Sequence, residues 1–278
     1  MTASALSDPA HEREAITADR EESKYLLPRT VLASFLRAVG ARLPLHRFVG
    51  QGANLLPDAE HFVTTVYFDT PTHAQLCAAN ADVEHNVKIR AREYYDLHCS
   101  LAELATDPSQ IVRYQPWVWF EIKRRIGGRT QKQRFRMAKR EVPSFFQGQH
   151  AAFREGAELD EELAGIVAYL HTLEEPLVPS CLVNYQRVAF QDASDNLRIT
   201  VDLDVGFYEP PSDLWTRTQA LVRGTFGPAK AVERHALIEV KRRGEQPAWL
   251  AQALASAELS ATSYSKFARA GKAVHGIG

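Results

Sequence analysis

The stretch NVKIRAREYY, Asn86 to Tyr95, decides the fold prediction. It places Lys88, Arg90 and Arg92 at every second position, with apolar residues between them. Because successive side chains of a strand point to opposite faces, the three cations share one face of a predicted strand and the apolar side chains share the other. Solvent explains most single charged faces, so the meaning of this one depends on whether other strands repeat it.

The same alternation recurs in six further segments, each with an apolar opposite face. Its charged or polar positions are Glu22 and Lys24; Glu121, Lys123 and Arg125; Lys132, Arg134 and Arg136; Tyr185 and Arg187; Arg198, Thr200, Asp202 and Asp204; and Glu239, Lys241 and Arg243. Exposure to solvent readily explains one charged strand face, but it is a poor explanation for so many on one chain. We therefore predict that the strands pack their apolar faces outward on helices and direct their charges to the inner side of one sheet.

A closed barrel would remove the exposed edges of such a sheet. The predicted fold class is α+β, with a closed eight-stranded antiparallel β-barrel, a basic interior and helices packed outside. Burying like charges without a counterion costs on the order of several kcal/mol each. The interior is therefore expected to be hydrated and to bind a polyanion, so the basic row of Asn86 to Tyr95 would face a tunnel.

The composition is that of an ordinary globular protein. The chain has 278 residues, 24% of them charged, and a formal net charge of −1. This length suits one large domain or two small ones. Nothing in it predicts binding to nucleic acid, so any anion site must come from charge that is concentrated locally.

The sequence predicts a cytoplasmic protein. Cys77, Cys99 and Cys181 are widely spaced and form no CxxC pair, which is typical of reduced structural thiols. No apolar run reaches the roughly 18 residues of a membrane span. The polar segment 1–19 lacks the basic and apolar regions of a secretory signal, and we expect it to be flexible.

Nine short motifs, in chain order, resemble the triphosphate tunnel metalloenzyme (CYTH-like) superfamily. They are most similar to its VTC domain, the polyphosphate polymerase domain of the vacuolar transporter chaperone complex, in the stand-alone bacterial form. The motifs are R-x-E-x-K-Y from Arg20 to Tyr25, YFDT at 67–70, K-x-R-x-R at 88–92, E-x-K at 121–123, K-x-R at 132–134, Y-x-R at 185–187, R-x-T-x-D at 198–202, E-x-K at 239–241 and Y-S-K-F from Tyr264 to Phe267. Each is weak alone, but nine in order are strong. The resemblance implies a single domain over residues 20–278.

The first motif separates this chain from the broader superfamily, which opens with E-x-E-x-K. Arg20 stands where that pattern has its first glutamate, as is usual in the VTC branch. This difference disfavours a simple triphosphate hydrolase. Eukaryotic VTC subunits also carry an inositol-phosphate-sensing domain and membrane helices. We do not expect this chain to couple synthesis to translocation by itself, although a membrane-protein partner is possible.

The resemblance implies ATP-driven growth of a polyphosphate chain inside the tunnel. The cations expected to position and neutralise the reacting phosphates are Lys24, Arg90, Arg92, Lys123, Arg187, Arg198, Lys241 and Lys266. Further substrate-binding residues are Lys88, Lys132, Arg134 and Tyr264. The residue types suit this chemistry, because arginine clamps phosphate oxygens in a bidentate fork and lysine acts as a point charge.

The resemblance also implies a divalent ion, Mn²⁺ or Mg²⁺. Glu239 is the first choice as ligand, since a hard cation prefers carboxylate oxygen and can bridge it to phosphate. Glu22, Glu121 and Asp202 are further candidates. Each of these three could instead pair with a neighbouring cation and hold it in place.

Two other functions remain open at the level of sequence. The same basic tunnel would serve a hydrolase of tripolyphosphate or nucleoside triphosphates, or a polyanion-binding module without turnover. Trp117 and Trp119, in phase with Glu121, leave a second question open, because they could stack on a nucleotide base or pack against a loop or helix.

Overall fold

In a computed structural model of the protein, the structure describes residues 21–46, 60–82, 84–97, 117–127, 129–147, 161–216 and 221–278. The strands are β1 Glu21–Leu27, β2 Glu60–Asp69, β3 Asn86–Leu97, β4 Trp117–Ile126, β5 Arg129–Ala138, β6 Val178–Gln191, β7 Leu197–Tyr208, β8 Ala231–Val232 and β9 Ala236–Arg242. The helices are α1 Arg29–Gly40, α2 Ala74–Ala81, α3 Val142–Phe146, α4 Glu161–Leu170, α5 Ala248–Ser256 and α6 Lys266–His275, with 3₁₀ turns at Lys139–Glu141 and Arg223–Thr225. The predicted flexible segment 1–19, Arg20 and Cys99 lie outside the described residues.

All strands belong to one antiparallel sheet. Its order is β1-β9-β7-β6-β2-β3-β4-β5, with β8 beside β7. In the described part of the chain no ladder joins the two edge strands, β1 and β5, so the predicted closed eight-stranded barrel is wrong. The sheet is open and curled. Alternation of charge along each strand cannot distinguish an open sheet from a closed barrel, because the pattern is the same whether or not the edge strands β1 and β5 pair with each other.

The curl is strong enough to bring distant strands together through their side chains. Glu22 of β1 and Lys123 of β4 lie six positions apart in the strand order, yet Oε2 of the glutamate is 3.9 Å from Nζ of the lysine. The inner, concave face is therefore a deep groove. We call this face the basic groove.

The outer face carries the two larger apolar clusters. One, around Phe68, Phe120 and Phe145, lies between strands β2–β5 and helices α3 and α4. The other, around Phe35, Ile199 and Ile238, lies between strands β1, β9 and β7 and helices α1 and α5. The prediction that the apolar face of each strand packs outward on helices is confirmed for these strands.

One helix departs from that arrangement. Tyr67 pairs with Arg90 across β2 and β3 and therefore shares its face, and the Tyr67 ring stacks on Phe267 of α6 with 4.9 Å between centroids. A third apolar cluster, which includes Tyr185, joins α6 and α2 to this inner face. Helices were predicted only outside the sheet, and for α6 that prediction is wrong.

A backbone irregularity in β7 removes one predicted residue from the groove. Asp204 has a left-handed φ of 50°, and the register between β6 and β7 shifts at the same level. The shift turns Val205 and Phe207 towards the inner cluster. Asp204 instead accepts a 2.5 Å hydrogen bond from Arg29 of α1 on the outer side.

The length of the helices bears on membrane association. None of the helices in the described residues has the length and hydrophobicity that crossing a bilayer would require.

Candidate functional site

Two rows of charged side chains cross strands β3, β4 and β5 in the basic groove. The register places Arg90, Glu121 and Arg134 opposite one another, and Lys88, Lys123 and Lys132 form the next row. Directly opposed residues of antiparallel strands lie within contact distance, and like charges opposed in this way are destabilising. The lysine row is thus held together against its own repulsion.

Glu121 is the centre of the arginine cluster. Its carboxylate is fully buried and lies 2.6 Å from Nε of Arg90 and 3.3 Å from Nζ of Lys132. Arg92 and Arg134 approach it at 3.9 and 4.0 Å. Burial by itself would raise the pKa of Glu121, but Arg90, Arg92 and Lys132 hold it well below its usual value. This geometry favours the pairing alternative, in which Glu121 positions arginines.

Asp202 plays the equivalent part on the other half of the sheet. Both of its oxygens accept hydrogen bonds from Arg187, at 2.6 and 2.8 Å, and Lys266 approaches at 2.6 Å. Burial acts to raise the pKa of Asp202, while Arg187 and Lys266 lower it below its usual value. Lys266 reaches this point because it is the first residue of α6, the helix on the inner face.

Glu22 and Glu239 form a different kind of pair. Lys24 faces Glu239 and Glu22 faces Lys241 across β1 and β9, so the two glutamates are diagonal neighbours with Cα atoms roughly 7 Å apart. Their side chains are 29% and 15% exposed, whereas Glu121 and Asp202 are sealed.

Lysines surround this diagonal pair. Lys24 lies 3.0 Å from Glu22, and Lys241 lies 3.0 Å from Glu239. Burial and the charge of Glu239 act to raise the pKa of Glu22. The charges of Lys123, Lys241 and Lys24 outweigh both effects and bring this pKa below its usual value. Despite burial, Lys241 and Lys24 hold the pKa of Glu239 well below its usual value. Both carboxylates are therefore ionised at neutral pH.

The donor set suits a divalent ion shared with a substrate. In the parts of the chain that the structure describes, no group of three or more histidine, cysteine or acidic side chains converges on one point. Mg²⁺, however, typically uses only one or two carboxylates and completes its shell with phosphate oxygens and water. The partly exposed carboxylates of Glu22 and Glu239 fit that requirement.

Lys88 shows how strongly the groove is biased towards anions. Burial, together with the charges of Lys123 and Lys24, lowers the pKa of Lys88 to about 8. Its ammonium donates to Oγ of Ser265 at 3.3 Å. Because neighbouring cations lower this pKa, a bound polyanion would raise it again.

Comparison with known proteins gives the family. The model of the VTC domain matches residues 19–275. The chain belongs to the VTC domain family. This confirms the resemblance seen in the motifs, and the family is of the triphosphate-tunnel type, whose members act on phosphate or triphosphate groups and depend on divalent metal.

The other comparisons are weaker. No curated protein matches the chain. A Bacillus halodurans protein proposed to be an adenylate cyclase is 13% identical over 89% of this chain and 95% of its own, with a TM-score of 0.44. A Vibrio parahaemolyticus protein with the same proposed activity is 12% identical over 89% and 94%, with a TM-score of 0.39. Both similarities are too weak to indicate a function for this VTC domain.

Two predicted residues of the VTC domain are engaged away from the main clusters. Arg198 donates from Nε to Gln191 at 2.6 Å and lies 3.9 Å from Asp195 in the β6–β7 turn. The hydroxyl of Tyr264 donates to Glu233 at 3.3 Å. Their substrate roles stay predictions, and the geometry supports them less than it supports Arg90 or Arg187.

The fold also brings into the groove three hydroxyl groups to which the sequence assigned no role. The ring of Tyr185 lies 5.0 Å from Cζ of Arg187 and 4.7 Å from Nζ of Lys266. Its hydroxyl is buried and has no hydrogen-bond partner among the described residues, and the same is true of the Thr65 and Thr200 hydroxyls. Alternation placed Tyr185 and Thr200 on the charged face, whereas Thr65, which opposes Arg92, was missed because β2 carries no alternating charges.

Proposed function

We propose that this VTC domain binds the triphosphate of ATP in the basic groove and transfers the terminal phosphoryl group to a growing polyphosphate chain, with Mn²⁺ or Mg²⁺ as cofactor. The observation that carries the proposal is the division of the carboxylates. Glu121 and Asp202 are fully buried, each against an arginine and a lysine. Glu22 and Glu239 remain partly exposed beside lysines.

The arginines are prepared to bind phosphate before it arrives. Glu121 holds Arg90, and Asp202 holds Arg187, each through a 2.6 Å contact at Nε. A guanidinium fixed in this way keeps terminal N–H groups for bidentate contacts with phosphate oxygens. Its orientation costs nothing further when the transferring group develops charge.

The lysines neutralise the chain and the leaving group. Lys88, Lys123 and Lys132 lie opposite one another on β3–β5, and Lys24 and Lys241 flank Glu22 and Glu239. Phosphoryl transfer depends mainly on such positioning and charge stabilisation, with little covalent chemistry from the protein. A divalent ion held by Glu22 and Glu239 would supply further neutralisation of the phosphate charge.

The transfer requires no general base. An anionic terminal oxygen of the polyphosphate attacks the γ-phosphorus, and the bond from that phosphorus to the β-γ bridging oxygen breaks. The electron pair stays on the bridging oxygen, which leaves as part of ADP. The acceptor oxygen is already deprotonated, so the protein only has to align the two anions and offset their repulsion.

The test is to incubate purified protein with ATP and Mn²⁺ and to follow the products by phosphorus NMR. Chain-internal phosphate together with ADP is the expected result. Orthophosphate without internal phosphate would support triphosphate hydrolysis instead, and unchanged ATP would support a non-catalytic polyanion-binding module. The cytoplasmic location and a membrane-protein partner stay predictions from the sequence.

A further inference from the structure

Strand β4 changes character along the basic groove. Lys123, Glu121, Trp119 and Trp117 occupy successive inward positions. Lys123 lies at the Glu22 carboxylate, 3.9 Å from its Oε2, whereas the other end of the same row is aromatic. The inward row of β4 therefore passes from a charged end to an aromatic end.

The two indoles are interleaved with guanidinium groups from β5. Cζ of Arg134 lies 4.0 Å from the ring centroid of Trp119, and Cζ of Arg136 lies 5.5 Å from that of Trp117 and 5.9 Å from that of Trp119. The register explains the arrangement, because Arg136 directly opposes Trp119. Arginine planes and indoles are the groups on which nucleic acid bases stack without sequence preference.

Packing among the described residues does not account for these indoles. Neither ring belongs to the three apolar clusters formed by the described residues. Trp117 is 45% exposed, although large aromatic side chains contribute most when they are buried. The exposed Trp117 and the half-buried Trp119 thus lie at the edge of the proposed phosphate site.

The spacing along β4 matches a nucleotide. Four residues of strand separate Lys123 from Trp119, which is about 14 Å. A triphosphate whose terminal group lies near Glu22 and Glu239 would run past the arginine cluster and bring its nucleoside to the indoles. We propose that Trp117, Trp119 and Arg136 form a stacking platform for the base of the nucleoside triphosphate, a proposal that rests on the proposed function.

The platform also assigns a direction to the groove. The nucleotide enters with its base at the Trp117 end, and the acceptor chain approaches the terminal phosphate from the side of Lys24 and Lys241. Stacking by itself does not distinguish one purine from another. ATP and GTP should therefore bind alike, and UTP, which offers a smaller stacking surface, more weakly.

The experiment compares metal-free affinities for ATP and for inorganic tripolyphosphate, by isothermal titration, in the wild-type protein and in the variants Trp117→Ala, Trp119→Leu and Arg136→Gln. We expect each variant to weaken ATP binding by about tenfold, the scale of one stacking contact, and to change tripolyphosphate binding less than about threefold. Arg140→Gln is the matched control, because it removes the same charge from an exposed residue nearby and should affect neither ligand selectively.

The outcomes separate the platform from the function on which it rests. Equal losses for ATP and tripolyphosphate, or no loss for either, would overturn the platform without contradicting the proposed function. Failure of the wild-type protein to bind tripolyphosphate would overturn the proposed function and the platform together. A selective loss of ATP affinity in correctly folded variants would confirm the platform.

Discussion

Two pairs of carboxylates in the same groove have opposite surroundings. Glu121 and Asp202 are fully buried and in contact with arginine or lysine at 2.6 Å. Glu22 and Glu239 are partly exposed, with lysines at 3.0 Å. All four side chains are carboxylates with cationic neighbours, so the difference teaches that burial decides whether a carboxylate supports other side chains or is available to a ligand.

Glu121→Gln should have the largest effect on the fold. It leaves Arg90 and Arg92 buried beside each other without their common counter-charge, and breaking a buried ion pair typically costs about 3–5 kcal/mol. We expect the free energy of unfolding, measured by urea titration, to fall by about that amount, with loss of turnover. Added tripolyphosphate should restore part of the stability, because it replaces the missing negative charge. An unchanged urea midpoint would show that Glu121 does not stabilise Arg90 and Arg92 as proposed.

Glu239→Gln should act on metal dependence instead. The amide keeps the size of the side chain but loses the charge that a hard cation needs. We therefore expect the Mn²⁺ concentration for half-maximal activity to rise by at least about tenfold. Loss of a residue that only hydrogen-bonds a metal ligand already lowers metal affinity by about that factor. Activity should recover in part at high Mn²⁺, and metal-free tripolyphosphate binding should stay the same or tighten.

The control for that variant is Glu84→Gln, which removes a carboxylate paired with exposed Arg125. It should leave the Mn²⁺ titration unchanged. If Glu239→Gln weakened metal-free binding and left the Mn²⁺ requirement as it was, Glu239 would instead be the partner that orients Lys241.

Lys88 should make phosphate binding depend on pH. Its pKa is about 8 in the empty groove, and a bound polyanion favours the protonated form. Affinity is therefore expected to be highest below pH 8 and to fall as pH rises, by up to about tenfold per unit for one linked proton. Titrations with tripolyphosphate at pH 7 and pH 9 measure this. Lys88→Arg, which stays charged, should flatten the profile, and an equally steep profile in that variant would exclude Lys88 as the source.

Glu22→Gln should have the smallest effect on stability and completes the comparison. Its side chain is 29% exposed and makes one 3.0 Å contact with Lys24. Partly exposed ion pairs contribute about 0–1 kcal/mol, so the free energy of unfolding should change by less than about 1 kcal/mol. A loss as large as that of Glu121→Gln would show that the two pairs of carboxylates do not differ in the way proposed.

Much of the site could be read from the sequence because strand geometry is local. Alternation placed Arg90, Arg92, Lys123 and Lys132 on one face, and the register confirms that they are neighbours. The same reasoning failed at Asp204, where a left-handed residue breaks the period of two. Periodicity predicts a face only while the backbone stays regular.

The sequence by itself determined that the chain is a VTC domain with a cationic face on most of its strands, because motif order and alternation require no knowledge of distant contacts. Only the tertiary structure decided that the sheet is open, that α6 lies on the inner face with Lys266 against Asp202, and which carboxylates are sealed. Those properties depend on how far the sheet curls and on what packs against it. Curl and packing arise from contacts between residues far apart in the chain, which no local pattern records.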